Sequence, residues 1–181
     1  LRVDFGSGFV PVSYNLTRLP QFTLYGDGTV IVVGPTVAIY PGPAMPNLQA
    51  AKISEQAIQA ILSAAREAGL FATGVDYGRP SVTDVGTTII TINADGTTYE
   101  SSIYALGMEA DPALTMEQQQ ARAAISVLLG KLQDAQSFET GELAWTPYEY
   151  SALAVYSIAV NAVDLPGTDE VQPNRLEWPL G

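Results

Sequence analysis

The sequence predicts an α+β domain: a mainly antiparallel sheet built from two β-hairpin–helix units, with two amphipathic helices packed on one face. Three observations carry that expectation. Asp-Gly turns at Asp27-Gly28 and Asp95-Gly96 each lie between β-prone runs, and Asp-Gly supplies the positive φ that tight hairpin turns need. A capped stretch with apolar residues at helical spacing follows each hairpin. A sheet made of hairpins is antiparallel and has one face to bury, which two such apolar stripes can cover.

Along the chain, a leading segment from Val3 to Val12 reads as a strand. The first hairpin is FTLYGDGTVIVVG, residues 22 to 34. IYPGPAMPNL, residues 39 to 48, then interrupts the strand and helix formers with Pro41, Pro43 and Pro46. Each proline fixes its own φ and biases the residue before it away from helix, so the segment reads as a stiff, extended connector. Ser54 is a good N-cap, Ile53 and Ile58 stand at the positions of a hydrophobic staple, and Ile58, Ile61, Leu62 and Ala65 form one stripe. Gly69 ends that helix.

The second hairpin, TTIITINADGTTYESSIY, spans 87 to 104 and alternates Ile90 and Ile92 with Thr91 and Asn93. Thr115 and Gln118 make a capping box, after which Ala121, Ile125, Leu128, Leu132 and Ala135 share a face that Gly130 weakens somewhat. The hairpin-then-helix order thus occurs twice, over 22 to 70 and 87 to 135, as an old duplication would leave it. Ser151 to Val160 offers a further strand. From 164 to 181 the composition turns to proline, glycine and acid, an extended tail on a single domain of 1 to 181, docked by Trp178.

Composition excludes several function classes. The 181 residues carry 19 acids against 8 bases, a net charge of -11, so the average surface repels nucleic acid. The eight basic residues are scattered, which argues against a patch for anionic lipid. With neither cysteine nor histidine, these residues make no disulfide, Ser-His-Asp or Cys-His triad, or histidine-held zinc, and no cofactor is expected. The longest apolar stretch, Ala152 to Val163, falls short of the roughly 20 residues a membrane helix needs. Leu1 is not an initiator methionine, which leaves any signal or lipid anchor to residues ahead of the numbered chain, the one route to a membrane tether in this reading.

The runs LPQFTLYGDGTVIV (19 to 32), ISEQAIQAILSAAREAGLF (53 to 71), DVGTTIITINADGTTYESSIYALG (84 to 107) and LEWPL (176 to 180) together resemble bacterial, actinobacterial-type extracytoplasmic proteins, lipoprotein-like domains of unknown function. The shared features are turns, caps and aromatics. The resemblance implies an exported protein and transfers no catalytic residue.

The candidate binding residues are Tyr40, Pro43 and Met45 in the proline loop and Trp145, Tyr148 and Tyr150 in ELAWTPYEY. A rigid loop loses little entropy on docking, so one reading has it insert into a partner's groove as protease-inhibitor loops do. The plainer reading has it carry the chain to the helix while Tyr40, Met45 and Leu48 pack on the core. Aromatic clusters serve protein and sugar surfaces and also anchor cores. Trp145 reads as a core or subunit contact, with Tyr148 and Tyr150 left open.

Asp76, Asp84 and Glu100 are the acids from which a histidine-free, carboxylate-dependent hydrolase would draw its pair, with Tyr77, Arg79 and Tyr99 near them. Asp164, Thr168, Asp169 and Glu170 cluster oxygens without the ligand order of a calcium loop. Gly26-Asp27-Gly28 lacks phosphate-loop spacing, and Ser54 beside Lys52 is explained as a cap. Every strong motif is architectural. The function expected is therefore a non-catalytic, extracytoplasmic protein-binding or self-assembling domain.

Overall fold

The computed structural model describes residues 1–152, apart from 7, 11, 40–42 and 44. Its strands are β1 (Arg2–Gly6), β2 (Phe22–Leu24), β3 (Thr29–Val33), β4 (Leu48–Lys52), β5 (Thr87–Ala94), β6 (Thr97–Tyr104) and β7 (Thr146–Pro147). They form one sheet in the order β6-β5-β1-β2-β3-β4-β7, antiparallel at every pairing. The helices are α1 (Val12–Thr17), α2 (Glu55–Glu67) and α3 (Met116–Gln133), followed by a 3₁₀ turn over Ala135–Phe138. This is the α+β class that the hairpins and helical stripes predict. The expected strand from Ser151 to Val160 lies outside the described residues from 153 onward, as does the tail with Trp178.

Both Asp-Gly hairpins form at the expected turns, β2–β3 and β5–β6. The first strand is what unites them: β1 pairs with β5 along all five of its residues and with β2 at Arg2 and Val3. It stops at Gly6 rather than running to Val12, because the backbone at Gly8 turns through φ 92 and α1 follows. A strand that the sequence did not announce, β4, lies between the first hairpin and α2. LQAAK is poor strand material by propensity, yet β3 offers it a ladder of five aligned residues, Thr29↔Lys52 to Val33↔Leu48.

The helix ends form by the expected devices. Ser54 Oγ accepts from Ala57 N, and Thr115 and Gln118 complete a reciprocal capping box. After α2, Gly69 adopts φ 78 while Leu70 N donates to Ala65 O and Gly69 N to Arg66 O, a Schellman closure that satisfies two terminal carbonyls. α3 ends at Gln133 because Asp134 leaves the helical region, so Ala135 is buried from the 3₁₀ turn instead.

Strand alternation assigns the sheet's two faces. Val3, Phe22, Leu24, Val30, Ala51, Ile90, Ile92 and Ile103 point inward and join Ala57, Ile58, Ile61 and Ala65 of α2 and Ile125, Leu128 and Leu132 of α3 in a single core. Between them lies Arg122, wholly buried on α3. Its guanidinium donates to the carbonyls of Tyr77 (3.2 Å), Tyr104 (2.9 Å) and Ala105 (2.5 Å). Its Nε finds no partner among the described residues.

Candidate functional site: an aromatic groove on the outer sheet face

The proposed binding residues of the last segment separate according to strand period. β7 pairs with β4 as Gln49↔Pro147 and Ala50↔Thr146, and Gln49 in turn opposes Val32 of the inner face. Trp145 and Pro147 therefore share the inner side, and Trp145 packs half-buried against the core, as expected. Thr146 and Tyr148 share the outer side. Tyr148 N donates to Leu48 O at 2.9 Å, extending the β4 pairing by one residue.

On that outer face Tyr148 and Tyr150 meet edge to face, ring centroids 5.5 Å apart and planes at 83°. They form one wall of a groove of about 230 Å³ completed by Leu19, Tyr25, Ile31 and Leu48. Tyr25 is 53% exposed although its aromatic area would contribute most if covered. Leu19 also lines an adjoining hollow with Tyr14, Val33 and Pro46, so the apolar surface is continuous past the groove. Arg18 also lines that hollow, 4.7 Å from the Tyr14 ring centroid, and donates to Phe5 O at 2.8 Å.

The proline loop stands at the rim. Gly34 N donates to Asn47 O (2.7 Å) and Asn47 Nδ2 to Pro35 O (2.8 Å), closing the loop at its base. Tyr150 Oη donates to Pro46 O at 2.5 Å and ties the loop to the groove. The expectation that Met45 and Leu48 pack on the core fails. Met45 is 37% exposed, and Leu48 belongs to β4 with its side chain on the outer face, because strand pairing with β3 decided its direction. Val37 and Ile39 are 68% and 60% exposed, and Pro43 is exposed as well. Tyr40 lies outside the described residues.

Of the acids weighed for hydrolysis, one has structural employment and the other two lie on a loop and on a strand. Asp76 accepts from Gly78 N (2.8 Å) and Gln118 Nε2 (3.2 Å), pinning a loop to the start of α3. Asp84 is a left-handed loop residue at φ 61, and Glu100 sits on β6 opposite Thr91. Tyr77 is buried with its hydroxyl 3.0 Å from Ser101 Oγ, and Tyr99 packs its ring 5.0 Å from Phe71. Among the described residues no three acids converge in a way that would hold a metal ion. Asp164, Thr168, Asp169 and Glu170 lie outside the described residues.

Among the described residues, three carboxylates have pKa values below their ordinary range. At Asp27 the largest cause is the Lys52 ammonium at 2.6 Å, followed by the Thr29 amide and hydroxyl. Burial alone would raise Glu109, but bonds from Ser126 and Gly107, with the Arg122 charge nearby, outweigh it. Glu139 accepts from the Ser54 amide ahead of α2. A depressed folded-state pKa contributes stability that is full above the unfolded value near about 4 and is lost as pH falls through the folded one. The melting temperature is thus expected to fall below about pH 4. Asp27→Asn should lower stability slightly at neutral pH and flatten the acid fall by the same small amount, since its ion pair is solvent-exposed. Thermal melts of both proteins across pH 2 to 7 check it.

Tyr148 and Tyr150 were visible as candidates in the sequence, whereas Leu19, Tyr25, Ile31 and Leu48 were not. One signal was present: Thr29–Val33 reads TVIVV, apolar on both faces of a strand where a single covered face calls for alternation. No protein-family model, curated protein or solved structure matches the chain.

Proposed function

We propose that the protein is a non-catalytic, extracytoplasmic domain that binds another protein through the outer face of its sheet. The observation that carries this reading is the continuous apolar surface of Tyr14, Leu19, Tyr25, Ile31, Tyr148 and Tyr150, flanked by the exposed Val37, Ile39 and Met45 of the proline loop. Aromatic anchors of this kind dominate binding energies because they bury large areas with few rotors to freeze. A net charge of -11 opposes the packing of two copies and favours a partner with a basic rim. The loop's prolines and the Tyr150 bond to Pro46 reduce the entropy lost on docking. An inhibitor role for residues 41 to 47 is the narrower form of this idea and adds a protease as the partner. The resemblance to exported bacterial proteins supports placement outside the cytoplasm.

A photo-crosslinking residue placed at Tyr25 in the full chain, in cells that make the protein, tests the proposal. The expected result is one discrete adduct with another protein, absent when the residue is placed at Val127 on the exposed side of α3 and lost on Ile31→Lys. Adducts only with a second copy, or only with residues 153 to 163 of the same chain, would overturn it.

A further inference from the structure

A second concavity, of about 460 Å³, opens on the inner side of the sheet between the outer end of β3–β4 and the C-terminal end of α3, with Trp145 as part of its wall. Its volume lies within the range of small-molecule sites. It is separate from the aromatic groove: Val32, Gln49 and Trp145 belong to the inner face, whereas Ile31, Leu48 and Tyr148 belong to the outer one. We infer that this concavity is a binding site for a neutral saccharide.

The lining chemistry selects that class. No lysine or arginine lines the concavity, and Asp134 is its one charged residue, so a phosphate or carboxylate ligand would meet no compensating cation in an already acidic protein. The polar groups are mainly amides, and they divide into two sets. The first set builds the wall. Asn47 donates to Pro35 O at 2.8 Å and accepts from Gln49 Nε2 at 2.6 Å. Gln136 donates to Gly141 O at 2.6 Å and accepts from Leu143 N at 2.7 Å. Both amides are thereby held in fixed orientations at the two sides of the opening.

The second set is unspent. Gln49 keeps its carbonyl oxygen, and neither the Gln133 amide nor the Asp134 carboxylate bonds any described residue. Planar amides and a carboxylate beside an indole offer what a sugar ring presents in complement. Vicinal hydroxyls donate and accept in pairs, and the C–H-lined face of the ring packs on an aromatic surface. Rigid walls and free, solvated donors and acceptors mean that binding reorganises little of the protein.

Calorimetric titration of the full chain with cellotriose, maltotriose and chitotriose tests the inference. At least one is expected to bind saturably, and Gln133→Ala with Asp134→Ala to weaken that binding by about tenfold, the loss of roughly one good hydrogen bond. Both residues are exposed, so the double variant should keep the parent's melting temperature. Trp145→Phe should weaken binding in the same direction. Saturable binding by none of the three sugars, or binding indifferent to Gln133 and Asp134, would overturn the inference. So would tighter binding of a trigalacturonate, which would point to an acidic ligand. Because the aromatic groove is elsewhere, Ile31→Lys should leave sugar binding unchanged, which separates this result from the fate of the protein-binding proposal.

Discussion

Replacing Arg122 with methionine is expected to destabilise the domain by about 3 kcal/mol, a large part of the roughly 5 to 15 kcal/mol that holds a typical domain folded. Ordinary buried ion pairs often tolerate apolar replacement, because both charges can be removed together. Here that escape is closed. The acceptors are the backbone carbonyls of Tyr77, Tyr104 and Ala105, which no substitution deletes. One side chain joins three pieces of chain: the loop that follows α2, the end of β6, and the middle of α3. Ala105 also carries a left-handed φ of 49, an uncommon geometry for a residue with a side chain, and its carbonyl accepts from the guanidinium.

Lysine retains the charge but offers it from one compact ammonium, so Arg122→Lys should recover only part of the loss. Urea unfolding midpoints of the wild type and both variants check the ranking. A methionine variant within about 1 kcal/mol of wild type would mean that apolar packing alone suffices at this position.

The second large effect is expected at Gly28, where alanine should cost at least about 2 kcal/mol. Two terms add. The backbone holds φ at 83, which L side chains rarely adopt, and a Cβ there would stand 2.6 Å from Ile53 O. That oxygen is main chain and cannot rotate away. Gly28 O meanwhile accepts from Ile53 N at 2.9 Å, so the hairpin tip is stitched to the residue that precedes the Ser54 cap. Damage at the turn should therefore spread to the start of α2. Gly96 occupies the equivalent Asp-Gly turn at φ 73 with nothing within 4 Å of an added Cβ, and alanine there should incur the dihedral term alone. Comparing the two glycine-to-alanine variants by thermal melting isolates the contact from the φ penalty. Equal losses would show that the approach to Ile53 relaxes freely.

The two positions illustrate different limits of reading a sequence. Gly28 was legible as a turn glycine from Asp27 and its β-prone flanks, but its tight approach to Ile53 was not, since the two are 25 residues apart. Arg122 was not legible at all. It interrupts no pattern on α3, where Ala121, Ile125, Leu128 and Leu132 suffice to define the buried stripe, and an arginine beside such a stripe ordinarily turns to solvent. Only the convergence of three carbonyls makes its burial favourable.

The aromatic segment behaves likewise. Trp145, Tyr148 and Tyr150 could be picked out by composition, yet the division of Trp145 from the two tyrosines follows from the register of β7 on β4. That register depends in turn on β4, whose own residues scarcely favour a strand. The proline loop was readable as stiff from its three prolines, while the exposure of Val37, Ile39 and Met45 had to be seen.

What the residues determined by themselves is local: two Asp-Gly hairpins, two capped helices, the glycine that closes α2, and the apolar stripes that demand a shared core. These depend on interactions within a few positions along the chain, so the letters suffice. The tertiary structure alone decided that β1 joins the hairpins into one sheet, that LQAAK is a strand, that Arg122 is interior, and which aromatic faces which side. Each of these is set by a neighbour distant in sequence, through a ladder or a carbonyl whose position exists only once the rest of the chain has folded around it.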